Sequence, residues 1–263
     1  MPRRIRIAVA TARLSRDLRE VVGIAAETGA TGLQFDARYQ LKPADLSETG
    51  RRQLLHTLGE RKLSVASLSF PLQRPLIDQE HLDTRVTAIR QAMQFAWDLK
   101  CRVVTCRIGR IPEDMNSSDG SRLHDVLSDL AAHGNRVGVT LSITPAGDDP
   151  GTLTALLGSV STGLLGVDFD PAERIMSRLK PTSSLRDLHA LVTHITVRDA
   201  VRDADGGGRE VPVGRGECDW PELLAVIEEM NYSGWLTVER TAGDDPGGDA
   251  ARAVQYLQNV AGQ

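Results

Sequence analysis

Short apolar, β-branched runs alternate with amphipathic stretches along the whole chain. The runs fall at Ile5–Ala10, Gly32–Asp36, Leu63–Phe70, Arg102–Arg107, Val137–Thr144, Leu164–Asp170, Val192–Arg198 and Trp235–Arg240. Their length and β-branched content predict strands. The intervening segments predict helices over Asp17–Thr28, Thr49–Arg61, Glu80–Leu99, Arg122–Asn135, Gly151–Ser159, Asp187–Leu191, Trp220–Met230 and Gly248–Val260. In Glu80–Leu99 the residues Ile89, Met93, Ala96 and Trp97 recur at helical spacing and are expected to pack on a sheet. The polar, Gly-rich segment Asp203–Glu210 is expected to form a mobile loop after the seventh strand.

Strands and helices alternating in this way, at this length, favour a closed (β/α)8 TIM barrel over an open doubly wound sheet. No Pro/Ser-rich linker or change of composition divides the chain, so one domain over residues 1–263 is the economical expectation. Chemistry in such a barrel sits at the C-terminal strand ends, where residues two apart share a face. Those ends carry Gln34 and Asp36, Ser69, Arg107, Ser142 and Thr144, Asp168 and Asp170, Thr196 and Arg198, and Glu239. A mouth so lined is polar and mixed in charge, which suits a small oxygen-rich ligand.

The formal charge of −4 and the scarcity of aromatics, with 3 Trp, 3 Tyr and 4 Phe, argue against a nucleic-acid or anionic-membrane surface. The apolar run Ile7–Ala10 is shorter than a signal peptide needs, and no segment approaches the ~20 apolar residues of a membrane span. Three cysteines, Cys101, Cys106 and Cys218, without a CxxC pair point to reduced thiols and a cytoplasmic location.

Glu239 and Asp170 are strand-end carboxylates, and burying them is costly unless they are paired, ligated or catalytic. Arg107 and Arg198 can clamp a carboxylate or phosphate, or hold those two acids in place. His194 lies one layer deeper, on the same face as Thr196; a satisfied core histidine is the expected role. Gly214-Arg-Gly216 precedes Asp219, a helix cap with Glu222 three residues on; either an anion or plain turn geometry explains those glycines.

From these positions on, the chain resembles the xylose isomerase-like sugar phosphate isomerase/epimerase family. The resemblance rests on Glu27-Thr-Gly-Ala-Thr-Gly-Leu-Gln34, Gly138-Val-Thr-Leu, Leu165-Gly-Val-Asp-Phe-Asp-Pro171 and Thr193-His-Ile-Thr-Val-Arg-Asp-Ala200. It also rests on Val211-Pro-Val-Gly-Arg-Gly-Glu-Cys-Asp-Trp-Pro-Glu-Leu-Leu224 with Gly234-Trp-Leu-Thr-Val-Glu239. It implies a barrel whose mouth holds one divalent metal between Glu, Asp, His and Glu from strands five to eight. Carried over, the Asp is Asp170 and the last Glu is Glu239, but Thr144 stands at the first Glu and Thr196 at the His. Gln34 takes the place of a second-strand Glu, and Glu173 that of a His after the sixth-strand Asp.

With two of four ligands replaced, no metal is expected; at most Asp170 and Glu239 would hold a weak Mg or Mn ion, and no other cofactor is implied. The resemblance then implies a carbonyl–hydroxyl rearrangement on a sugar, sugar phosphate or sugar-like acid. Glu239 would be the base and Asp170 would assist. Arg107, Arg198, Thr144, Thr196, Gln34 and Asp36 would bind the substrate. The competing expectation is an inactive barrel binding a metabolite or partner at the same mouth. A clustered-zinc phosphoesterase is disfavoured, because the strand ends supply almost no His. A carbohydrate-like ligand is the expected partner, and self-association into a homo-oligomer is compatible with the sequence.

Overall fold

The computed structural model describes residues 5–15, 17–204 and 206–262. Eight parallel strands close a barrel: β1 (Arg6–Ala10), β2 (Gly32–Asp36), β3 (Ser64–Ser69), β4 (Val103–Cys106), β5 (Thr140–Ile143), β6 (Leu165–Phe169), β7 (Val192–Val197) and, in the eighth place, β10 (Trp235–Val238). The barrel closes where β10 pairs with β1, Trp235 opposite Arg6 and Val238 opposite Val9. Around it lie α1 (Leu18–Glu27), α2 (Glu48–Glu60), α3 (Leu82–Asp98), α4 (Ser118–Val137), α5 (Pro150–Ser159), α6 (Pro171–Met176), α7 (Pro181–Asp187), α8 (Trp220–Glu229) and α9 (Pro246–Val260).

Local sequence explains most helix starts. The N–H groups of Gly50 and Gly120 donate to the Ser47 and Ser117 hydroxyls, capping α2 and α4. Three helices open on Asp-Pro: Asp149 caps α5, Asp170 caps α6 and Asp245 caps α9, each with Pro in the first turn. One of those caps, Asp170, is also a candidate site residue. Helix initiation therefore fixes its carboxyl direction.

Phe35, Phe95, Phe169 and Trp220 are fully buried and belong to the core cluster that the helices cover. A buried polar set lies along the strands, comprising Gln34, Ser67, Thr105, Ser142, Asp168, His194, Thr196 and Thr237. At the base, Ala8, Ala66 and Trp235 form a small apolar cluster. Gly166 on β6 leaves room for Thr193, whose hydroxyl meets that of Ser142 at 2.8 Å. A Cβ at Gly166 would lie 1.9 Å from the Thr193 hydroxyl oxygen. Gly166→Ala is therefore expected to cost about 1–3 kcal/mol in urea unfolding.

Four sequence expectations change. Trp97 is 41% exposed, with the Arg102 guanidinium stacked 4.0 Å above its ring, while Ile89, Met93 and Ala96 do face the core. The helix expected at Asp187–Leu191 is instead two helices, α6 and α7, each begun by a proline; Asp187 ends the second. Val137 still belongs to α4, which terminates at Gly138 in the left-handed region (φ 79), so the fifth strand starts only at Thr140. The segment after β7 is an antiparallel hairpin, β8 (Asp199–Arg202) with β9 (Gly208–Val211), Ala200 opposite Glu210. Asp205 lies outside the described residues. Alternating Asp-Ala-Val-Arg and Gly-Arg-Glu-Val around a Gly-Gly turn supports that pairing.

All three cysteines are free thiols. Burial pushes Cys101 up to about 11 and Cys106 up to about 12, which leaves both unreactive near neutrality. Among the described residues, no helix is long and apolar enough to cross a membrane.

Candidate active site

The strand ends converge on a mouth cavity of about 290 Å³. Gln34, Asp36, Arg107, Thr144, Asp170, Thr196, Arg198 and Glu239 all line it, together with Asp168 and Thr105. Most of these side chains are already engaged with one another.

Asp168 forms the floor. It accepts hydrogen bonds from Thr144 Oγ1, Thr196 Oγ1 and His194 Nδ1, each 2.8 Å long. Burial opposes its ionisation, but the His194 charge and these hydrogen bonds prevail and hold the carboxyl below its ordinary value. Beneath it, His194 Nε2 faces the hydroxyls of Thr237 at 2.8 Å and Ser67 at 3.0 Å, and Gln34 Nε2 donates to Ser67. His194 is thus a satisfied interior residue. The two threonines in ligand positions spend their hydroxyl protons on Asp168.

Above the floor runs a chain of alternating charge. Asp170 accepts from Arg198 Nη1 at 2.7 Å; Arg198 Nε donates to Glu210 at 3.0 Å. Glu210 also pairs with Arg240 and accepts from the Thr241 N–H and hydroxyl; Arg240 Nε reaches Asp249 at 2.8 Å. The chain joins the ends of β6, β7, β9 and β10 to α9. Burial works to lower Arg198, yet Asp170, Glu239 and Glu210 around it more than reverse this and keep it above the ordinary arginine value. Burial likewise pushes Asp170 up against the pull of Arg198.

Glu239 stands apart from this chain. It follows β10, is partly buried, and among the described residues its side chain makes no hydrogen bond. Burial pushes it up to about 7; Arg198 pulls it down, and Asp170, Asp168 and Glu210 add to the rise. The unfolded chain ionises this group near 4.5. The stability it contributes is therefore complete below that pH and lost as pH rises through about 7. Glu239→Gln is expected to stabilise the protein by about 2–3 kcal/mol near pH 8 and to change little near pH 5, read by urea unfolding at both.

The remaining candidates sit at the rim. Arg107 is 42% exposed and pairs with Glu173 at 3.3 Å, not with Asp170 or Glu239. Asp36 Oδ1 accepts from the Arg38 and Tyr39 N–H groups, which spends one oxygen on its own turn. The glycines of Gly214-Arg-Gly216 serve an internal anion. Asp199 is fully buried and accepts from the N–H groups of Gly214, Gly216 and Cys218 and from Trp220 Nε1.

Glu210 is the site residue that sequence reasoning missed. It lies on a segment expected to be mobile, and its importance follows from the pairing of β8 with β9, which places it over Arg198.

The arrangement does not fit the four-ligand divalent ion that the resemblance implied. Asp170 is held by a guanidinium, and Thr144 and Thr196 point their protons at Asp168. Among the described residues, no group of three or more His, Cys, Asp or Glu converges to hold a metal.

Solved structures with this architecture include a xylose isomerase domain protein from Planctomyces limnophilus, at 22% identity over 97% of both chains and a TM-score of 0.85. A D-tagatose 3-epimerase-like protein superposes at a TM-score of 0.81, 17% identity, over 98% of this chain and 97% of its own. A xylose isomerase-like TIM barrel protein from Mycobacterium smegmatis in complex with magnesium does so at 0.77 and 15% identity, over 97% and 96%. A search of curated proteins returns no match. The sequence profile described as xylose isomerase-like TIM barrel matches residues 22–260, and the chain belongs to that family.

Proposed function

We propose that the mouth isomerises or epimerises a small sugar or sugar-like acid by proton transfer at the carbon beside a carbonyl. Glu239 is the base. The observation that supports this most is a carboxyl left without a hydrogen-bond partner in a cavity whose other acids are engaged, and brought to about 7 by burial. Glu239 takes the proton from the hydroxyl-bearing carbon, and the C–H electron pair becomes the double bond of an enediolate. Returning that proton to the neighbouring carbon, while the hydroxyl proton passes from its oxygen to the former carbonyl oxygen, completes an isomerisation; returning one to the same carbon on its other face would need a second donor.

Arg107 is the better placed of the two arginines to meet the developing oxyanion. Its single ion pair is long and exposed, whereas Arg198 is committed to Asp170 and Glu210. Asp170 then acts through Arg198, as the anchor of the cation that tempers Glu239. No step is assigned to a metal. Purified protein is expected to carry no stoichiometric Mg, Mn or Zn by elemental analysis, and EDTA should leave turnover unchanged.

The experiment is a panel of aldoses, ketoses and their acids incubated in D2O, with product formation and C–H to C–D exchange both read by NMR. Product or exchange from one of them supports the reading. Saturable ligand binding with neither across the panel overturns it in favour of an inactive binding barrel. That second reading is favoured by one observation, the use of both ligand-position threonines as donors to Asp168.

A further inference from the structure

A second cavity, of about 520 Å³, opens beside the mouth between the ends of β2 and β3 and the start of α3. Phe70 belongs to the walls of both. The charges in this cavity are unequal. Arg38, Lys42, Arg74 and Arg85 line it, against the single carboxylate of Glu80. That carboxylate is taken by Arg74 at 2.9 Å, and Asp78 holds Arg74 from the other side at 2.8 Å. Asp45, the nearby acid of the β2–α2 connection, accepts the backbone N–H of Lys42.

Among the described residues, three cations therefore remain without a carboxylate within 4.0 Å. The most telling is Arg85, only 9% exposed. Its guanidinium is held by the backbone carbonyls of Pro75, Asp78 and Glu80, and its buried Nε has no partner among the described residues. A buried charge met by carbonyl dipoles, with the Asp78 carboxylate acting on it only from a distance, is costly, and a counter-ion relieves that cost. Arg38 donates one Nη1 hydrogen bond to the Pro71 carbonyl and lies 5.8 Å from the Phe70 ring centre, and among the described residues its other guanidinium nitrogens make no hydrogen bond. The opposite character, apolar, comes from Phe70, Pro43, Ala44 and Ala88.

We propose that this cavity is a binding site for a phosphate monoester with an apolar or aromatic body. The phosphate meets Arg38 and Lys42 over the charge of Arg85, and the body lies against Phe70 and Pro43. A forked guanidinium and a flexible ammonium are the usual partners of phosphate oxygens. The size suits a small organic molecule. The site stands whether or not the mouth catalyses a reaction.

The test is calorimetric titration of the full chain with phenyl phosphate, with inorganic phosphate as competitor and at two salt concentrations. Saturable binding is expected, weakened by salt and displaced by inorganic phosphate. Lys42→Ala, at an exposed position whose loss should not disturb the fold, is expected to weaken it roughly tenfold, and Arg38→Gln by a similar factor. Glu239→Gln should leave it unchanged. Absence of saturable binding up to millimolar ligand overturns the proposal. So does binding that is indifferent to both cavity variants, or that Glu239→Gln alters while Lys42→Ala does not, which would place the phosphate in the mouth.

Discussion

Glu239→Gln is expected to lower kcat on a true substrate by about 10²–10⁴-fold while leaving the ligand affinity within a few-fold of wild type. The two side chains have the same shape, so the cavity walls stay in place, and only the capacity to accept a proton is lost. The pH profile supplies an independent check. A base works deprotonated, so wild-type kcat/KM should rise with pH through an ionisation near 7 and level off above it. A profile that falls through that ionisation would make Glu239 an acid instead of a base. An inflection that stays put in Asp168→Asn would remove Asp168 from the causes of the rise, because its negative charge should contribute to it.

Glu210→Ala should be the most damaging change to stability at the mouth, at about 3–5 kcal/mol. The Glu210 side chain is only 6% exposed, and its two oxygens serve Arg198, Arg240 and both donors of Thr241. Removing it leaves two guanidinium groups, each 12% exposed, with one carboxylate in place of two, Asp170 for Arg198 and Asp249 for Arg240. For a chain of this size the loss corresponds to roughly 6–15 °C in Tm. Glu210→Gln keeps the volume and some of the hydrogen bonds and should recover part of the deficit. Equal Tm values for wild type and Glu210→Ala would show that the hairpin contributes nothing to holding the mouth together.

The barrel was legible because its signal is repeated: β-branched runs and amphipathic helices in alternation, with Asp-Pro and Ser caps marking where helices start. The convergence of Asp170, Thr196, Arg198 and Glu239 followed from strand-end parity alone. What could not be read was pairing. Nothing in the order of residues says that Thr144 and Thr196 donate to Asp168 or that Arg107 turns to Glu173. Glu210 was out of reach for a different reason. A three-glycine stretch reads as a flexible loop unless the alternation on both sides is scored as a hairpin, and the partner of β9 is a strand that begins immediately after the barrel strand it extends. Trp97 was misplaced because helical spacing cannot tell the edge of an apolar stripe from its centre; a neighbouring arginine covers its ring instead.

Arg198 gives this mouth a cation that the chain carries by covalent attachment. A bound divalent ion can be stripped by a chelator, exchanged for a competing metal or lost when supply falls. A guanidinium can be none of these. It also cannot be adjusted: its charge is one, its reach is set by the end of β7, and it offers no open coordination position to an incoming oxygen. Thr144→Glu and Thr196→His would therefore not by themselves build a metal centre. The tethered charge would repel the ion, and Asp168 would lose two of its donors. A mouth of this kind that is to hold a divalent ion has to give up Arg198 first.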